Sequence, residues 1–161
     1  MTINEFSRTA PDRPAAGDAR PTLGERGTRA TPIPSSVLSL LGQAKQTWAE
    51  AVLEPRAAEK YRAAHVAALR AAAAVLALRA RPAGAARRRP TSAWVLLEGV
   101  APELAEWAAY FADSASRRAA IEAGSWNVVT ERDADDLLRA AGEFIAIVEH
   151  AAGALPLGIA S

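Results

Sequence analysis

Residues 60–70 read KYRAAHVAALR, and the chain continues as AAAAVLAL over 71–78 before reaching Arg79. Alanine is the strongest helix former, so a stretch this rich in it, free of glycine and proline, reads as one long helix. Side chains four apart share a helical face, which places Tyr61 and His65 in one column. The column continues through Ala68/Leu69, Ala72 and Val75/Leu76, while Val66, Leu69, Ala73 and Leu76 mark a second face. A helix that is apolar nearly all round, apart from Arg70, belongs at the centre of a bundle. Arg70 then needs an acid on a neighbouring helix or a path to the surface.

Working outward, SSVLSLLGQAKQTWAEAV (35–52) reads as an amphipathic helix opened by a serine cap. Val37, Leu41, Ala44, Trp48 and Val52 form its stripe. Glu54-Pro55 breaks it, and Pro55 suits the first turn of the next helix, expected over 56–81 and stopped by Pro82. PAGAARRRP (82–90) is a loop. Thr91 or Ser92 opens a short helix, SAWVLLEGV. Pro102 starts another, with Leu104, Trp107, Phe111, Ala115 and Arg118 along one side and Gly124 as its C-terminal cap. A last helix begins with a capping box, Thr130 and Asp133, and buries Leu137, Ala141, Phe144, Val148 and Ala151 before Gly153 and Pro156. The spacing predicts an all-α bundle of five helices over 35–153. The Pro- and Arg-containing segment 1–34 has too few large apolar residues to offset its ordering entropy and is expected to be a disordered tail. Residues 154–161 form a short C-terminal tail.

Composition agrees. The chain has 161 residues, 41 of them Ala and only 3 Phe and 2 Tyr. It has no cysteine, which excludes disulfides and thiolate metal sites. His65 and His150 stand too far apart for a His-rich site, and no cofactor is expected. The N-terminus lacks an apolar signal core, and the longest unbroken apolar run, 71–78, is far short of a bilayer span. A soluble, cytoplasmic protein with no membrane attachment is the expectation. Charge is uneven: residues 35–90 carry ten Lys/Arg and three Glu, +7, whereas 91–161 carry four Arg and eleven acids, −7. Such halves either attract one another within one fold or offer a basic surface to an acidic protein partner.

Two groups of residues are candidates for binding. Tyr61, Arg62 and His65 sit within about one turn, with Arg70 further along the same helix as a further candidate, and Arg62 is close enough to lower the imidazole pKa. No serine or cysteine nucleophile accompanies them in that stretch, so a hydrogen-bonded scaffold histidine is the simpler reading. Arg87, Arg88 and Arg89, with Arg79 and Arg81 nearby, form the densest cationic cluster and are candidate phosphate contacts. No aromatic residues are interleaved for base stacking. Asp133, Asp135 and Asp136 fall in the first turns of a helix, where capping and the dipole explain them without a metal.

The pattern of Tyr61, His65, Ala67, Ala68, Ala71 and Leu76 on an alanine-rich helix resembles the second helix of HEPN domains, small helical bundles of higher eukaryotes and prokaryotes. SAWVLLEGVAPELAEWAAYFADSASRRAAIEAG (92–124) is similar to an uncharacterised actinobacterial branch, and 17 Arg against 2 Lys agrees with a GC-rich genome. The resemblance covers about 36–152. It implies a bundle that is often dimeric and associated with RNA or nucleotide transactions. Many HEPN members are ribonucleases marked by an arginine, four to six residues, then a histidine. Here the positions that precede His65 at that spacing are Ala58, Glu59 and Lys60, and those before His150 are Glu143, Phe144 and Ile145. None is arginine, and Lys60 lacks the planar fork that grips phosphate. The expected function is a non-catalytic, homodimeric binding module. The alternatives are a divergent ribonuclease using Arg62 and His65, and a protein-binding adaptor.

Overall fold

The computed structural model describes residues 32–79 and 92–153. They form α1 (Ser35–Leu53), α2 (Ala57–Arg79), α3 (Ala93–Val100), α4 (Ala105–Glu122) and α5 (Glu131–Ala151), with a 3-10 turn at Pro102–Leu104 ahead of α4. Among the described residues there is no strand, as the alanine-rich composition predicts. The expectations for tail 1–31, for Arg87, Arg88 and Arg89, and for residues 154–161 lie outside the described residues.

α2 is the central element and touches all four other helices. Ala64, Ala67, Ala68, Ala71, Ala72 and Ala74 are fully buried along it. Their small side chains let α1 and α5 lie close against its backbone. By length and composition α2 is apolar enough to cross a bilayer, a property that the count of its longest unbroken run missed; half of that window is buried inside the bundle. Larger side chains fill the other side. Trp94 of α3 stacks on Phe111 of α4 at 5.0 Å, and Phe111 meets Phe144 of α5 at 5.3 Å. Phe111 and Phe144 are fully buried, and each contributes roughly 1.5–3 kcal/mol through the apolar area it removes from water.

Helix ends follow local chemistry, with corrections. Ser92 caps α3 by accepting from the Trp94 amide. Thr130 and Asp133 form the expected capping box of α5. Gly124 closes α4 at φ +101°, where the Ser125 and Gly124 amides return to the Ala120 and Ile121 carbonyls, a Schellman arrangement open to glycine at little cost. Ser35, however, does not cap α1: it is already helical, and Pro34 precedes it with no side-chain bond. Pro55 lies before α2, which starts at Ala57.

The buried stripes also drift from the expected ones. α1 buries Thr47 and Ala51, leaving Trp48 half-buried and Val52 exposed. α4 buries Ser114 where Ala115 was expected, and Ala152 replaces Ala151 at the end of α5. The oppositely charged halves meet within the fold. Lys45–Glu149 (2.7 Å), Lys60–Asp135 (3.0 Å) and Arg79–Glu103 each join the basic part to the acidic part.

Candidate functional site

The column on α2 divides once the helices pack. Tyr61 is 3% exposed and His65 is fully buried, both facing α4, whereas Arg62 turns along the surface to Glu59 at 3.0 Å. His65 Nδ1 lies 2.9 Å from Ser114 Oγ, and Ser114 Oγ donates to the Phe111 carbonyl at 2.8 Å. A hydroxyl has one proton. With that proton committed to the carbonyl, Ser114 accepts from an Nδ1–H imidazole, an assignment that follows from the network. The other ring nitrogen, Nε2, is buried and has no partner among the described residues. It sits in an aromatic surround, with the Trp94 ring edge-on at 5.7 Å and the Phe111 ring at 6.4 Å.

This environment sets the protonation state. Burial, with a lesser contribution from the Arg118 charge, pushes the His65 pKa down to about 4. The expected influence of Arg62 is not what acts there; the guanidinium that bears on the ring comes from α4. Burial likewise pushes the Tyr61 phenol up, so it stays protonated. A general base must come within hydrogen-bond reach of the proton it removes. A neutral imidazole walled off by Ser114, Trp94 and Phe111 offers no such approach.

Near Tyr61 and Ser114 a polar recess of about 180 Å³ opens between α4 and α5, lined also by Tyr110, Asp113 and Asp133. Several of its charges are already committed: Asp133 accepts from the Thr130 amide and pairs with Arg117 at 3.5 Å. Those bonds hold the Asp133 carboxyl below its ordinary pKa. Asp135 pairs with Lys60, and Asp136 with Arg139 at 2.8 Å. Among the described residues no cluster of three or more His, Cys, Asp or Glu is placed to hold a metal ion.

Arg70 donates to the Thr47 hydroxyl on α1 and remains partly exposed, so of the two outcomes expected for it the chain takes the path towards the surface. Arg117 and Arg118, towards the end of α4, pair with Asp133 and Glu122.

A second feature was missed in the sequence. Between α1 and α5 runs an open, largely apolar groove of about 640 Å³, with Trp48, Gly142, Ile145 and Ala146 on its walls. Trp48 Nε1 donates to the Leu138 carbonyl at 2.8 Å, laying the indole across α5. Gly142 makes room for it: a Cβ there would stand 3.0 Å from Trp48 Nε1. The signal available was the glycine placed in the middle of an otherwise strong helix.

No curated protein and no solved structure matches the chain significantly. A family model described as HEPN_SAV_6107-like HEPN matches residues 51–149, from the end of α1 to the last turns of α5 and more than half of the chain. The chain therefore belongs to that HEPN family.

Proposed function

We propose that this chain is a non-catalytic HEPN binding module that works as a homodimer. The observation that carries the reading is the position of His65, fully buried and hydrogen-bonded to Ser114 while Arg62 is engaged with Glu59. Phosphodiester cleavage at an arginine–histidine pair needs both groups at the scissile phosphate, with the imidazole free to exchange a proton. The absence of an arginine five to seven positions before either histidine supports the same reading.

The adaptor reading, in which the ligand is a protein, gains from the charge arrangement. Lys45, Arg56, Lys60, Arg62 and Arg79 all have acidic partners within the chain. A nucleic acid would have to compete with those carboxylates, whereas the apolar groove beside Trp48 is suited to a protein surface. Nucleotide or RNA contact then falls to the Arg87–Arg88–Arg89 cluster.

Incubation of the purified chain with defined RNAs, followed by gel shift over a salt series, tests this. The reading expects no cleavage products, and any RNA shift that occurs should weaken steeply with salt. Cleavage by the wild-type chain that His65→Ala abolishes with helicity retained would overturn it.

A further inference from the structure

The groove between α1 and α5 has an apolar floor and charged ends. Along α5, Arg139 stands at one end and Glu149 at the other, with exposed Ala146 and half-buried Gly142 between them. Each end charge is already held by a neighbour of opposite sign: Arg139 by Asp136 at 2.8 Å, and Glu149 by Lys45 at 2.7 Å.

We propose that a second copy of this chain covers the groove, its α5 running antiparallel across α5 about a two-fold axis that passes between Gly142 and Ala146, level with position 144. The proposal rests on the dimeric reading above and names the surface and register. In an antiparallel pair centred at 144, Arg139 faces the partner's Glu149 and Gly142 faces the partner's Ala146. Two-fold symmetry then makes every contact occur twice. The result is a row of four charges alternating in sign: Asp136, Arg139, the partner's Glu149 and the partner's Lys45. Ala146 carries only a methyl group and Gly142 lies beneath the Trp48 indole, so in this register the partner's Ala146 packs onto that indole. The contact covers the Trp48 indole, the kind of aromatic anchor that dominates interface energetics.

Charge selects this occupant over others. An acidic protein would meet Glu143 and Glu149 on the groove, and a nucleic acid would meet the same carboxylates. The fitting partner carries both signs in the order that α5 itself presents. The cost is Glu143, which lies beside the two-fold axis; it is exposed, so water and salt screen it from its symmetry mate.

Sedimentation equilibrium on the full chain tests the assignment. The wild type is expected to be a dimer, and Ala146→Arg, at an exposed position, a monomer with an unchanged circular dichroism spectrum. Arg139→Glu and Glu149→Arg singly should each raise the dimer dissociation constant at least tenfold. The double variant should associate more tightly than either. A dimer that Ala146→Arg leaves intact overturns this surface while the dimeric reading stands. A double variant no tighter than the singles overturns the register, and a wild-type chain monomeric at high concentration overturns surface and dimer together.

Discussion

His65 Nδ1 and Ser114 Oγ, 49 positions apart in the chain, lie 2.9 Å apart in the middle of the bundle. The contact fixes the rotation of α4 against α2, because Ser114 also donates to its own helix at Phe111. Polar residues in a core need partners, and each of these supplies the other's.

Removing the hydroxyl should therefore be costly. Ser114→Ala leaves the Nδ1–H of a buried imidazole without an acceptor, which costs roughly 1–3 kcal/mol. Urea denaturation checks this: the midpoint should fall while the slope stays at the wild-type value.

Acid should act on the same contact. The folded imidazole is held near 4, below its ordinary value of 6.5, chiefly by burial. The unfolded chain thus takes up the proton first. The contribution of His65 is fully present above about pH 6.5 and is lost as pH falls through about 4. Between pH 7 and pH 4 the loss is about 3 kcal/mol. Carboxylates also take up protons over part of this range, so the comparison is with His65→Gln. The wild type should lose about that much more stability than the variant over the same interval.

On the opposite side of the bundle, Gly142→Val should destabilise. Its Cβ would meet the Trp48 indole at 3.0 Å, and that ring is tied to the Leu138 carbonyl. Overpacking at such a site costs roughly 1–3 kcal/mol, more than the helix propensity recovered by replacing glycine. Thermal denaturation should show a lower midpoint for the variant than for the wild type.

The helices were legible in the sequence because alanine content, capping residues and apolar spacing all point the same way. The α5 capping box and the Gly124 cap needed only local chemistry. The candidate site was half legible. Helical spacing placed Tyr61 and His65 on one face, yet Arg62, three before His65, turns to the half-buried Glu59 one turn back on its own helix. Ser114 was passed over because apolar periodicity credits Ala115 and is blind to a serine that is buried by virtue of its hydrogen bonds. Of the groove only Gly142, a glycine inside a strong helix, left a mark in the sequence: the pairing with Trp48, 94 positions away, arises only from packing.

The central claim is that the imidazole at position 65 is a packed group of the core and does not meet solvent or substrate. Diethylpyrocarbonate acylation followed by peptide mass spectrometry tests it most directly, since the chain has 2 histidines and only His150 is exposed. The account predicts acylation at His150 alone while the fold persists, with His65 reacting only under denaturing conditions. Acylation of His65 in the folded protein at a rate comparable with His150 would contradict it.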